Sequence, residues 1–237
     1  MLVNSPAYRD YLLARGVPPA KVSLIPNGVD PTMFDPADRG EGWRQWWGLG
    51  DRFVVTYAGA LGPANDIPTL LRAAARLRAR SDIHFLLVGD GKERPQLEAR
   101  AAAEGLTNVT FTGAVPKEQM PTVLAASDAC VAILRDIPSF RTTYPNKVFD
   151  YMAAGRPTIL AIDGVIRQVV ETAGAGVCVP PGDDAALAAA VVQLAADRQA
   201  ARAMGEAARR HVVAHFDRRD QAEAFCRLLA QLAERGR

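Results

Sequence analysis

A lysine and an aspartate three positions apart, Lys147 and Asp150, stand in the stretch "SFRTTYPNKVFDYMAAGRP" (139–157) beside Arg141 and Asn146. An ammonium at a helix start attracts anions, and phosphate is the commonest of them in a cell. An ionised carboxylate accepts hydrogen bonds from paired hydroxyls. This chemistry needs both side chains at one end of one helix. Pro145 holds the residue before it extended and suits a helix start, so a helix is predicted from about Asn146 to Gly155, closed by Pro157. Val148, Tyr151, Met152 and Gly155 recur at spacings of three and four, which buries one face and leaves Lys147 and Asp150 neighbours at the amino end. The plainer reading is an exposed ion pair worth about 0–1 kcal/mol.

Three glycine turns could also approach a phosphate or sugar: "YAGALG" with Gly59 and Gly62, "VGDG" with Gly89 and Gly91, and "FTG" with Gly113. Glycine permits tight turns and close backbone approach, although strand-to-helix turns in any α/β domain favour it. There is no G-x-G-x-x-G fingerprint and no Walker loop, which argues against hydride transfer and nucleotide hydrolysis. His211 and His215 have a chelating helical spacing but no third ligand nearby, so a helix face is the expected role and no metal site is predicted. Asp183 and Asp184 read as a helix cap. Trp43, Trp46 and Trp47 read as packing of a small helix, with a sugar-stacking platform as the alternative. Cys130, Cys178 and Cys226 are odd in number, widely spaced and in apolar surroundings, which suits buried reduced thiols in the cytosol.

The elements that must position these residues follow from hydrophobic pattern. Continuous apolar runs "RFVVTYAG", "IHFLLVG", "NVTFTG", "ACVAIL", "PTILAI" and the weaker "GVCVP" read as parallel strands covered on both faces. Helical segments separate them: "DIPTLLRAAARLRAR" with Asp66 as candidate cap, "KERPQLEARAAAEG" ending at Gly105, and "KEQMPTVLAAS". The fold class is therefore α/β, a doubly wound parallel sheet, whose ligands bind beyond the carboxyl ends of the strands. That rule selects the loops starting at Gly59, Gly89, Gly113, Leu134 and Ile162. Residues 1–35 read as a strand end, a helix begun by Ser5 and Pro6, a short strand "KVSLIP" and a turn-rich link. After residue 182 the pattern is wholly helical, and these helices are expected to cover a sheet face and an edge.

Composition bounds the rest. Of 237 residues, 49% are apolar and 23% charged, ordinary for a soluble globular chain, and 28 basic against 26 acidic residues leave a net charge of only +2. So small a charge gives no general reason to expect nucleic acid or an anionic membrane as partner. No apolar run approaches the roughly 20 residues that span a bilayer, and the first residues lack signal-peptide regions, so a cytoplasmic location is expected.

The ordered elements "IPNGVDPTMF", "VVTYAGALG", "FLLVGDG", "NVTFTGAVPKEQMPTVLAASDACV", "YPNKVFDYMAAGRPTI" and "GAGVCVPPGD" resemble the carboxyl-terminal half of two-domain GT-B glycosyltransferases, specifically the retaining family called GT4. Nearly the whole chain is covered. The resemblance implies a Rossmann-like domain over 36–182 that holds a nucleotide-diphosphate sugar, UDP-linked by first expectation, and needs no other cofactor. Residues 1–35 then correspond to the end of an amino-terminal acceptor domain with its hinge, and 183–237 to helices packed on the donor domain. Asp150 would bond the ribose hydroxyls. Lys147, at the helix start with Asn146 and Val148, would neutralise the diphosphate, helped by the N–H groups of Gly59, Ala60, Leu61 and Gly62. Backbone at Gly113, Ala114 and Val115 would read the base, with Gly89, Asp90 and Gly91 near the nucleotide.

The chain departs from the family pattern at three points. Of two glutamates seven residues apart in many members, the second falls on Asp150 and the first on Thr142, which is thereby a candidate facing the sugar with Lys147 as the catalytic pair. The arginine and lysine after the first strand are Ala60 and Asn65 here, which shifts the diphosphate onto Lys147 and Arg141. Members of this kind act in bacterial surface-polysaccharide assembly. The histidine-bearing acceptor domain, which would meet a sugar or lipid-linked acceptor, falls outside the matched half, so this chain alone is expected to be inactive and the whole enzyme to sit peripherally at the inner membrane face. A nucleotide-sugar epimerase of similar fold and a non-catalytic interaction module are the alternatives.

Overall fold

The computed structural model describes residues 1–235. Six parallel strands form one sheet: β3 (Phe53–Ala58), β4 (Ile83–Val88), β5 (Val109–Gly113), β6 (Ala129–Ile133), β7 (Thr158–Ala161) and β8 (Gly176–Cys178), in the order β5-β4-β3-β6-β7-β8. All six predicted strands are present. Their apolar continuity has the expected cause, since residues of both parities are buried. Phe53, Val55 and Tyr57 face a core built with α3 (Ile67–Arg76), α4 (Arg94–Ala103) and α8 (Asp184–Ala196). Val54 and Ala58 face a second core with α5 (Met120–Ala125), α6 (Asn146–Ala153), α7 (Val165–Ala173) and part of α9 (Arg198–His215).

The order of strands reverses between β3 and β6, so the crevice expected of a doubly wound sheet opens there. The two strands pair only at Val55↔Ala129 and Thr56↔Cys130. Beyond that point the Tyr151 hydroxyl accepts from the Ala58 N–H (2.9 Å) and donates to its carbonyl (3.2 Å). A side chain from α6 thus takes over where the ladder stops, and α6 is fixed to the rim of the crevice.

A smaller parallel pair, β1 (Leu2–Val3) with β2 (Ser23–Leu24), brackets α1 (Pro6–Ala14), whose cap Ser5 accepts from the Tyr8 N–H. The first segment is tied to the loop before α6 by two long-range bonds, Ser5 Oγ to the Thr142 carbonyl (2.6 Å) and Asn27 Nδ2 to the Tyr144 carbonyl (2.8 Å). The last helix, α10 (Arg218–Arg235), departs from the sequence expectation. It does not cover the sheet but runs to this first segment, with Val29 bridged to Asp217 and Arg218 donating to the Gly28 carbonyl at 2.7 Å. The reason lies in its composition: Phe225, Leu229 and Leu232 form a thin, exposed stripe, too little apolar surface to bury a sheet face.

Two further expectations are corrected. Cys130 is buried and Cys178 half-buried, but Cys226 is exposed on α10, so the thiols are not uniformly interior. Asp66 occupies the cap position of α3 without bonding a backbone N–H; it accepts from the Thr69 hydroxyl instead. Asp183 caps α8 through the Ala186 N–H as expected, while Asp184 pairs with Arg72 and Arg76. Trp43 and Trp47 pack together at 6.0 Å between ring centroids in α2 (Glu41–Trp46) and its cap, and Trp46 is exposed. No group of metal-ligating side chains exists among the described residues, and none of their helices is long and apolar enough to cross a membrane.

Candidate donor site at the sheet switch point

Helix α6 begins where the sequence places it. Pro145 is the cap, with no side chain closing the first turn, and the Val148 N–H is used by the Pro145 carbonyl, so the N–H groups of Asn146 and Lys147 are the open ones at this end. Aromatic packing holds the helix start: Phe149 lies 4.7 Å from Phe216 and 5.7 Å from Tyr144 between ring centroids.

Lys147 does not pair with Asp150. Its ammonium reaches into the crevice, donating to the Tyr57 hydroxyl (2.9 Å) and to Asn65 Oδ1 (3.3 Å), and it lies 4.1 Å from the centroid of the Tyr57 ring. No carboxylate contacts it among the described residues, and burial lowers its pKa to about 8. The same burial raises the Tyr57 phenol, whose proton is given to the Ala60 carbonyl. Gly59 makes this possible, because a Cβ there would lie 2.6 Å from the Lys147 nitrogen. Neither Tyr57 nor Tyr151 carried a sequence signal beyond membership of an apolar run. Asn65 stood out only as a departure from the family, and its role here is to hold the lysine.

The three glycine turns form one floor beside this ammonium. Leu61 N–H bonds the Asp90 carbonyl (2.9 Å), Gly89 N–H bonds the Gly113 carbonyl (2.9 Å), and Glu93 N–H bonds the Leu61 carbonyl (3.0 Å). A Cβ on Gly89 would lie 1.9 Å from the Gly59 oxygen, and one on Gly91 2.4 Å from the Leu61 oxygen. Their glycine content is thus demanded by loop packing on loop. Of the four N–H groups expected to serve an anion, those of Gly59 and Leu61 are spent on Val88 and Asp90, which leaves Ala60 and Gly62. Asp90 folds onto its own loop, accepting from the Gly91 N–H.

Asp150 faces a separate cleft of about 180 Å³ with Val29, Lys117, Met120, Asn146 and Arg218. Its carboxylate has no hydrogen bond among the described residues; burial raises its pKa, opposed by Arg218 and Lys117. Lys117 and Met120 follow the Gly113 turn, so this cleft adjoins exposed Ala114 and half-buried Val115. Lys117 and Arg218 were not singled out in the sequence, since each reads there as an ordinary surface charge.

Thr142 and Arg141 lie in the turn Pro138–Thr142. The Thr142 hydroxyl donates to the Ser139 carbonyl at 2.7 Å, and Arg141 pairs with Asp136 at 2.9 Å. Neither side chain shares a hydrogen bond with Lys147.

The switch point of this doubly wound sheet thus brings together a half-buried lysine, open N–H groups and, in an adjoining cleft, one carboxylate. Residues 52–197 match the family model of group 1 glycosyl transferases, and the chain belongs to that family. It is 32% identical over 214 residues to the GDP-mannose-dependent alpha-mannosyltransferase of Mycolicibacterium smegmatis, covering 90% of this chain and 52% of that protein. Among solved structures, sucrose-phosphate synthase of Thermosynechococcus elongatus superposes with a TM-score of 0.83 at 30% identity, over 98% of this chain and 58% of that one. Anabaena HepE in complex with UDP and glucose gives a TM-score of 0.84 at 23% identity, over 97% and 62% of the two chains. The chain thus spans about half the length of the curated relatives it matches.

Proposed function

We propose that this chain holds the donor of a retaining sugar transfer, a nucleoside-diphosphate sugar, in the crevice between β3 and β6. The observation that carries the proposal is the half-buried Lys147 ammonium, desolvated without a carboxylate partner and bordered by the open N–H groups of α6. Such a cation is strained by desolvation and gains most from an anion of two or more charges. The diphosphate would lie against Lys147, the α6 amino end and the N–H groups of Ala60 and Gly62. The ribose hydroxyls would meet Asp150, and the base the backbone from Gly113 to Val115. Uridine is the base carried by the family resemblance; the GDP-mannose-dependent relative makes guanosine its competitor.

In the reaction the bond from the anomeric carbon to the diphosphate breaks as an acceptor hydroxyl bonds to that carbon and passes its proton to the departing phosphate oxygen, on which negative charge gathers. Lys147 and the helix end stabilise that charge in place, without reorganisation. The acceptor would be bound by parts of the whole protein beyond the matched half.

Thermal unfolding with UDP and with GDP tests this. At 100 times its dissociation constant a ligand adds about 2.7 kcal/mol to stability. One nucleotide should stabilise the wild type, and Asp150→Ala and Lys147→Met should abolish the effect. A wild type indifferent to both nucleotides sinks the proposal.

A further inference from the structure

The amino-terminal edge of the sheet carries a second concentration of positive charge. A pocket of about 540 Å³ is lined by Arg39, Arg156, Arg202, Arg209 and Arg210 against a single carboxylate, Glu206. Arg156 precedes β7, whereas the donor crevice lies past the opposite strand ends, so at least ~13 Å of strand separates the two. A chain with a net charge of only +2 has therefore gathered five guanidinium groups on one concavity.

Arg156 is the centre of the argument. It is 5% exposed, its Nε is buried with no acceptor, and its side chain's one hydrogen bond among the described residues runs from Nη2 to the Asp38 carbonyl at 2.8 Å. Burial lowers its pKa from the usual arginine value, reinforced by Arg39 and opposed by Cys130, Asp128 and Asp38. Arg209 is committed to the carbonyls of Ala153 and Pro31. Arg39, Arg202 and Arg210 make no hydrogen bond or ion pair among the described residues. The nearby Asp128 is shared, since Arg44, Arg198 and the Val54 N–H also occupy it. A buried guanidinium with donors to spare, set among like charges, is destabilising unless an anion joins it. Arginine forks match the oxygens of a phosphate two at a time. Pro36, Ala37 and Val213 complete the wall with apolar surface fit for an attached organic body.

We propose that this pocket is a second binding site, distinct from the donor crevice, for a phosphate monoester carried on a small organic body. The phosphate sits between Arg39, Arg156 and Arg202, and the body lies against Pro36 and Val213. A soluble phosphate ester and a phosphate-bearing lipid headgroup present the same chemistry.

Isothermal titration of the full chain with inorganic phosphate, against sodium chloride at matched ionic strength, tests the site. The wild type should show saturable binding, and Arg39→Ser with Arg202→Ser should weaken it about tenfold or more. Both residues are exposed, so the double variant keeps its fold; Arg156→Gln is the more severe companion. Lys147→Met should keep the phosphate binding that the double variant loses, which separates this site from the donor crevice. Co-sedimentation with vesicles of equal phosphatidylcholine and phosphatidic acid identifies the source. Binding that the double variant loses points to a lipid headgroup, and phosphate binding without vesicle binding points to a soluble ester. Absence of saturable phosphate binding, or equal binding by wild type and double variant, overturns the proposal.

Discussion

Lys147 meets two opposed requirements. Burial lowers its pKa to about 8 from 10.5, so below about pH 8 the folded chain carries the ammonium at a cost. Between about 8 and 10.5 the unfolded chain keeps a proton that the folded chain has released, and the contribution of this residue to stability therefore rises with pH across that window. A diphosphate needs the protonated form. UDP affinity should fall as pH passes about 8, and binding there should take up a proton. Calorimetry at pH 8 in buffers of different ionisation enthalpy measures that uptake, and a value of zero removes Lys147 from the diphosphate. Lys147→Met should leave the ligand-free chain as stable as the wild type, or more so, while losing the nucleotide response. Asp150 acts from the acid side: its raised pKa makes affinity decline as pH falls into the carboxylate range.

At the scale of elements, close backbone contact sets the tolerance to substitution. Gly205 lies inside α9 with ordinary helical backbone, yet a Cβ there would come 2.1 Å from the Gly155 carbonyl. Gly205→Ala should destabilise by about 1–3 kcal/mol through overpacking of α6 on α9, read from denaturant unfolding. Gly89→Ala combines a φ of +144° with its 1.9 Å approach and should destabilise at least as much. An unchanged midpoint in either variant would contradict the packing described. The six strands and the start of α6 were legible because buried parallel strands read as unbroken apolar runs and Pro145 marks a helix start. The direction of Lys147 was not legible. Spacing places it beside Asp150, and only the fold shows that the glycine at position 59 leaves room for its ammonium next to Tyr57. The course of α10 was equally hidden, because its partners, Gly28 and Val29, lie nearly the whole chain away in sequence.

In the molecule as a whole, the two termini depend on each other. Gln221 and Arg218 hold the carbonyls of Asn27 and Gly28, and Phe225 closes a cavity with Leu2, Tyr8 and Ile25. Truncation after Phe216 should expose residues 4–28 to protease while the six-stranded sheet keeps its far-UV signal. Equal cleavage of the full and truncated chains would show that the contact carries no stability. Ser5 and Asn27 also grip the carbonyls of Thr142 and Tyr144, the residues that lead into α6. In mechanical terms the first thirty residues are a lever whose short arm ends at the start of α6. A displacement of this segment passes through those two bonds to residues 142–145, and so to the start of α6, without crossing the six-stranded sheet.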